Sequence, residues 1–310
     1  MAIPGRMMLA PMAGISDLAY RIICHEMECP FSFTEMISAK GLYYGGKTRE
    51  LLASHPGEGM VAVQLFGREP QLVGDMAKML YEEGRVPYGI NINMGCPAPK
   101  IVKNGEGSAL LKEPPLAMEI LAAVRKSVPV PVTVKYRKGF GAEEDISVIF
   151  AKMAEDTGVD ALILHGRTRE QMYQDRADWE CVARVKAAVD IPVIGNGDIQ
   201  SQADGEQRMM ETGCDGVMIG RGAFGNPFVF SEKVYTREEK YRVIERHIDL
   251  TISFLGERFA ILLLRKHMCA YIKGYWGAAK QRQEILHAAT REALIEPVLK
   301  AMELEIDFAG

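Results

Sequence analysis

One cysteine in this chain is placed to do chemistry. Cys96 stands between Gly95 and Pro97, at the end of Gly89-Ile90-Asn91-Ile92-Asn93-Met94, an alternating apolar and polar run that reads as a short strand. Glycine tolerates backbone angles that other residues avoid, and proline fixes its own φ and lacks an N–H. The strand therefore stops here, and the thiol rides on a tight turn at its C-terminal end. A lone cysteine is more often a small buried hydrophobe. The flanking Gly and Pro and the two preceding Asn residues favour a chemical role instead. Cys24, Cys29, Cys181, Cys214 and Cys269 are scattered, with no Cys-x-x-Cys pair. No Cys/His cluster has zinc spacing, so no metal site is expected.

Other polar residues recur in the same kind of position. Gln64, Asn93, Lys135 with Arg137, His165 with Arg167, Asn196 with Asp198, and Arg221 all sit at or just past the end of a strand-like run, as do Pro11, Met12 and Ala13. The runs are Met7–Met12, Phe31–Met36, Val61–Gly67, Gly89–Met94, Pro131–Arg137, Ala161–Gly166, Pro192–Gly195 and Gly216–Gly220. Between them lie Pro70–Glu83, Pro114–Ser127, Asp145–Thr157 and Ala203–Thr212, with apolar residues at helical spacing. Such alternation specifies an α/β chain with a parallel sheet. Eight units point to a (β/α)8 TIM barrel, since a doubly wound open sheet usually has fewer strands. In a barrel the C-terminal strand ends converge on one rim, where barrel enzymes build their sites.

Gly220-Arg221-Gly222-Ala223-Phe224-Gly225 matches G-x-G-x-x-G literally. A Rossmann reading needs further βαβ units and a following acidic residue, and the strand pattern stops here instead. Paired with Ile194-Gly195-Asn196-Gly197-Asp198, these become the loops after the last two barrel strands, where barrels often bind phosphate. The plainer alternative is that the glycines only make tight turns.

After Phe230 the strand signal ends. Thr236-Arg237-Glu238-Glu239 forms a capping box, and Tyr241, Ile244, Ile248, Ile252 and Leu255 mark one helical face. Further helices are expected over Phe259–Lys273 and Gln281–Met302. The expected division is a catalytic barrel over 1–232 and a small all-helical C-terminal domain over 233–310.

The 310-residue chain is 48% hydrophobic and 25% charged, with a net charge of −4, so the whole molecule is no general polyanion binder. Arg258, Arg265, Lys266, Lys273, Lys280 and Arg282 nevertheless fall in a stretch free of acidic residues, interleaved with Tyr271, Tyr275 and Trp276. An ordinary solvated helix face with aromatics in its core is one reading. The other is a basic surface that holds an RNA backbone, with Arg265 and Lys266 at its centre. No signal peptide and no membrane-length apolar run is visible, and the expected location is the cytoplasm.

Ala10-Pro11-Met12-Ala13-Gly14, Gln64-Leu65-Phe66-Gly67, Asn93-Met94-Gly95-Cys96-Pro97, Val134-Lys135-Tyr136-Arg137, His165-Gly166-Arg167-Thr168, Asn196-Gly197-Asp198 and Ile219-Gly220-Arg221 together resemble the tRNA-dihydrouridine synthase family. Arg265-Lys266-His267 is similar to its bacterial B-type branch. The resemblance implies non-covalently bound FMN at the barrel mouth, NADPH as reductant, and reduction of a uracil C5=C6 bond in tRNA or other structured RNA; a monomer is expected. It implies that Pro11, Met12 and Ala13 line the flavin, and that Gln64, Lys135 and His165 lie at its ring. Asn196, Gly197, Asp198, Gly220 and Arg221 would hold ribityl and phosphate. Cys96 would be the proton donor, and Asn93 and Arg137 would contact the target uracil. Asn91 stands where the family often has Asp, and Tyr136 where an aliphatic residue is common. A thiol is mostly protonated at neutral pH, as a proton donor must be, and a base stacked in RNA must flip out to reach it.

Three other readings remain open at this level. One is a flavin-barrel reductase of a free pyrimidine or other small molecule, which would not need the helical domain. Another is a non-catalytic RNA-binding protein, which would not need Cys96. The third is a Schiff-base aldolase acting through Lys135, which leaves Cys96 and the glycine loops unexplained.

Overall fold

Every second residue of the strands points into a closed parallel barrel, and this alternation separates the site from the core. The computed structural model describes residues 5–307; positions 1–4 and 308–310 of the two expected domains lie outside the described residues. The strands are β1 (Met7–Leu9), β2 (Ser32–Phe33), β3 (Ile37–Ser38), β4 (Val61–Phe66), β5 (Gly89–Met94), β6 (Val132–Arg137), β7 (Ala161–His165), β8 (Val193–Asn196) and β9 (Gly216–Ile219). They run β1-β9-β8-β7-β6-β5-β4-β2, with β3 also on β4, and all pairings are parallel. The circuit closes where the Leu9 N–H donates to the Phe31 carbonyl at 3.0 Å.

The lower interior is apolar: Met8, Phe31, Phe33, Ala62, Ala161, Ile163, Ile194 and Met218 fill it. Two residues further along, the same inward faces turn polar. Ala62 is followed by Gln64, Ile163 by His165 and Ile194 by Asn196. The outward faces, such as Leu65, Ile92, Val134 and Leu164, are buried under the helices. Each such side chain contributes about 1.5–3 kcal/mol when fully buried.

Of the expected second strand over Phe31–Met36 only Ser32–Phe33 is strand, and β3 follows beyond it at Ile37–Ser38. Thr34 interrupts it: its hydroxyl accepts the Gln64 N–H at 3.0 Å, where a strand would offer a backbone carbonyl. The resulting bend aims Met36 into the mouth of the barrel.

The helices that cover the barrel are α1 (Leu18–Glu26), α2 (Ala39–Tyr43), α3 (Pro70–Glu82), α4 (Pro99–Lys103), α5 (Pro114–Ser127), α6 (Ser147–Asp156), α7 (Trp179–Lys186) and α8 (Gln202–Thr212). Then come α9 (Arg237–Leu255), α10 (Glu257–Tyr271), α11 (Ala278–His287) and α12 (Arg291–Asp307). The Thr236 capping box forms as expected, with Thr236 and Glu239 each accepting the other's backbone N–H. Ile244 and Ile248 are buried, but Leu255, in the last turn of α9, is exposed.

The single helix expected over Gln281–Met302 is broken. The Ala288 carbonyl is taken by Arg265, whose Nε and Nη2 donate to it at 3.1 and 2.6 Å. Thr290 then opens the next helix by accepting the Ala293 N–H.

Candidate active site

The C-terminal rim of the barrel encloses a cavity of about 600 Å³, within the usual range for a ligand or cofactor pocket of about 300–1,000 Å³. Cys96 lies on its wall, on the turn after β5. Asn93 builds that turn: its Oδ1 accepts the N–H groups of Gly95 at 3.1 Å and Cys96 at 2.9 Å. From below, Ser108 donates both its N–H and its hydroxyl to the Cys96 carbonyl. Gly107, at φ +60°, lies so close that a Cβ there would sit 2.9 Å from that carbonyl oxygen and 3.1 Å from the Cys96 Cβ. Half-buried in this setting, the thiol is pushed up from its ordinary range by burial; the Ala98 backbone, Arg137 and Lys135 only partly offset this. It is a protonated thiol at neutral pH.

A ladder of side chains runs inward from the same turn. Asn93 Nδ2 donates to Gln64 Oε1 at 2.9 Å, Gln64 Nε2 to Asn91 Oδ1 at 2.7 Å, and Asn91 Nδ2 to Thr133 Oγ1 at 2.8 Å. The parallel register sets Gln64 beside Asn91 and Asn91 beside Thr133, so the ladder follows from the strand pairing. Tyr136, the other departure noted above, faces the opposite way. It stacks on Phe150 and donates to the Ser147 carbonyl at 3.2 Å, away from the cavity.

Cations dominate the opposite wall. Lys135 Nζ donates to Asn196 Oδ1 at 2.9 Å. Burial, and then the neighbouring Arg137, bring its ammonium down to about 7. His165 is held well below its ordinary range by burial and by Arg137 and Lys135, so the imidazole is neutral. Arg137 is 2% exposed. It is fastened to three carbonyls, those of Gly95, Thr168 and Met172, at 2.9, 2.8 and 2.9 Å. Through Gly95 it braces the Cys96 turn, beyond the uracil contact the family pattern implies.

The two glycine loops meet beside this wall. Gly222 packs so tightly under the Ile199 carbonyl that no side chain would fit. Asp198, at φ +57°, spends its carboxylate on two arginines, Arg167 and the half-exposed Arg221, and on the Ala177 N–H. An acidic side chain so engaged does not itself hold a phosphate. It orients Arg221, the exposed cation of the pair.

All of the expected barrel residues (Pro11, Met12, Ala13, Gln64, Asn93, Cys96, Lys135, Arg137, His165, Asn196, Gly197, Asp198, Gly220 and Arg221) line this one cavity. Arg265 and Lys266 do not. Arg265 is turned inward onto Ala288. Lys266 reaches the rim from outside: its Nζ lies 2.7 Å from where a Cβ on Gly14 would be. Tyr271 is buried, whereas Trp276 is 62% exposed. Sequence reasoning missed Met36, Gly107, Ser108 and Tyr173. Tyr173 is an exposed ring at the mouth, with Arg221 5.0 Å and Arg137 5.7 Å from its centre. Its only signal was an aromatic in the loop after His165-Gly166-Arg167.

A parallel (β/α)8 barrel with a protonated thiol, an amide ladder and clustered cations on its C-terminal rim defines an enzyme with a cofactor-sized pocket. The chain belongs to the dihydrouridine synthase family: the family model described as "Dihydrouridine synthase (Dus)" matches residues 8–306. It is 37% identical over 290 residues to "tRNA-dihydrouridine synthase B" of Vibrio vulnificus, covering 90% of this chain and 89% of that one. It is 36% identical over 292 residues to "Probable tRNA-dihydrouridine synthase 1" of Synechocystis sp., covering 90% and 81%. A solved histamine dehydrogenase from Rhizobium sp. 4-9 shares the fold, with a TM-score of 0.53, 13% identity and coverage of 86% of this chain and 48% of that one.

Proposed function

We propose that the chain reduces the C5=C6 bond of specific uridines in tRNA, with FMN held non-covalently at the barrel mouth and NADPH as the reductant. The observation that carries this reading is the convergence of Cys96, Asn93, Gln64, Lys135, His165 and Arg221 on one cavity. The pocket suits FMN. Gly197, Gly220 and Gly222 bring backbone without side chains to the cavity wall, Arg221 supplies the cation, and Gln64, Lys135 and His165 offer polar groups to a ring. Bound FMN supplies the hydride chemistry; the protein supplies orientation and protons.

Cys96 Sγ holds the proton for the uracil carbon. Its raised pKa keeps that proton in place until the base arrives. Asn93 and Arg137 hold the turn that presents the thiol, and Asn93 faces the cavity where the base must enter. Lys135, poised near neutrality, gains a proton and a charge when an anionic partner binds. The helical segment 233–310 is the RNA-binding unit in this reading, with Lys266 at the rim of the mouth. The cytoplasm is the proposed location; no helix among the described residues is long and apolar enough to cross a membrane.

The test is to map dihydrouridine in tRNA from cells with and without the gene. Purified protein, FMN and NADPH should then restore it to the unmodified tRNA. Full modification in the deleted strain, or no turnover by the flavin-loaded protein, would overturn the proposal.

A further inference from the structure

A second cluster of chemically competent groups lies where α1, α9 and α10 meet, apart from the cavity. Asp17 is the N-cap of α1, and its Oδ1 accepts the Tyr20 N–H at 3.1 Å. Oδ2 is turned the other way, 3.5 Å from His267 Nε2. His247 on α9 and His267 on α10 are both 0% exposed, with ring centres 4.8 Å apart and planes at 84°. One potential ligand atom from each of Asp17, His247 and His267 lies within 4.8 Å of the other two. Among the described residues, Asp17 Oδ2, His247 Nε2 and both ring nitrogens of His267 have no hydrogen-bond partner.

Buried polar atoms are nearly always paired, so four orphans in one place call for a common explanation. A proton shared by Asp17 and His267 would satisfy two of them and leave His247 Nε2 and His267 Nδ1 stranded, whereas one shared cation would satisfy three. We propose that Asp17, His247 and His267 ligate a divalent cation, zinc by preference, which fastens α9 and α10 to the start of α1.

Two nitrogens and a carboxylate oxygen are zinc ligands at about 2.0–2.2 Å. In a tetrahedron that sets ligand atoms roughly 3.3–3.6 Å apart, and the Asp17–His267 separation of 3.5 Å already matches. The Tyr271 hydroxyl lies 3.2 Å from His247 Nδ1. By accepting the Nδ1–H it leaves the Nε2 lone pair facing the cluster, the usual outer partner of a ligating histidine. A solvent molecule takes the fourth position. The site is linked to the cavity through the loop that carries Met12 and Ala13, which ends at Asp17. Lys266, next to His267, touches the same loop at Gly14.

The test is metal analysis of the full chain purified without chelators or a metal-affinity step. One zinc per chain is expected. EDTA should lower the melting temperature, and zinc should restore it, by about 5 °C at a hundredfold excess over Kd. His247→Gln and Asp17→Asn should each lose both the zinc and the response. Cys96→Ser should keep them. If the variants do not fold, cobalt loaded into the wild-type protein should give ligand-field bands without thiolate charge transfer. Zinc far below one per chain, with a melting temperature indifferent to EDTA and zinc, would mean that the three residues form only a buried contact. Zinc retained by His247→Gln, zinc lost from Cys96→Ser, or a thiolate band from cobalt would place the metal elsewhere. Each of these outcomes overturns the proposal.

Discussion

One guanidinium nitrogen, Nη2 of Arg167, lies 2.8 and 2.7 Å from the two carboxylate oxygens of Asp198. The same side chain donates to the carbonyls of Gln174 and Asp175. Arg167 thus ties the loop after β7 to the glycine turn after β8. Burial works to raise the Asp198 pKa, but the Ala177 N–H and Arg167 outweigh it and hold the carboxyl below its ordinary range. Arg167→Ala should lower stability by about 1–3 kcal/mol, since it removes a buried guanidinium that makes charge-assisted hydrogen bonds to Asp198. It should also release flavin during gel filtration. Flavin content per chain and the urea midpoint measure the two effects, and a folded variant that keeps its full flavin would show that the loops hold without this pair.

Cys96→Ala should leave flavin content and NADPH oxidation near the parent's and cost about 10²–10⁴-fold in dihydrouridine formation, the usual loss with a general acid. Single-turnover assays on unmodified tRNA separate the two half-reactions. Product formation near the parent rate would assign the proton to another group.

Lys135 gives a pH signature. Its ammonium is brought down to about 7 in the folded chain, from an ordinary value of 10.5. Between those values the unfolded chain binds more protons than the folded one, so this residue adds stability as pH rises through the window and withdraws it as pH falls. An anionic ligand beside Lys135 reverses the shift. Binding of FMN to the flavin-free protein at pH 8 should therefore take up a proton, and at pH 6 take up almost none. Calorimetry in two buffers of different protonation enthalpy reads this directly. Uptake should vanish in Lys135→Met; equal uptake at both pH values would place the lysine away from the ligand.

Arg265 and Lys266 should separate cleanly. Lys266→Ala should weaken tRNA binding and flatten the salt dependence by about one unit of log K per log salt, with stability unchanged. Arg265→Ala should instead cost about 1–3 kcal/mol, because the buried Ala288 carbonyl loses its donors, with little change in salt slope. Filter binding at several salt concentrations, beside thermal melts, decides. Equal slopes for Lys266→Ala and the parent would mean that RNA docks elsewhere.

What was legible in the sequence follows from distance along the chain. The alternation in Gly89–Met94 and the Gly-Cys-Pro stop are local, and they placed Cys96 correctly. Polar residues at successive strand ends predicted one rim because the barrel topology supplies the convergence. What was missed depends on partners far apart in sequence. Thr34 breaks a strand by reaching Gln64, and Arg265 interrupts a helix by reaching Ala288. Asp17, His247 and His267 come from three separate helical segments, so no spacing rule could register that they meet. Arg137 was marked as a polar strand-end residue, yet nothing local revealed that three carbonyls would fasten it.

The ladder beneath Cys96 is one-way. Each amide passes its N–H away from the thiol, from the Cys96 backbone to Asn93, on to Gln64, Asn91 and finally Thr133. The dipoles line up head to tail and polarise one another. A carboxylate at position 93 or 64 would have no proton to hand on, so every amide between it and Thr133 would have to turn end for end and donate back toward the acid. Position 91 is different, because its far neighbour is a hydroxyl, and Thr133 can rotate from acceptor to donor. There an acidic side chain simply becomes the sink in which the chain ends. Asp in place of Asn thus demands least at rung 91, the rung where the family resemblance implies an acid.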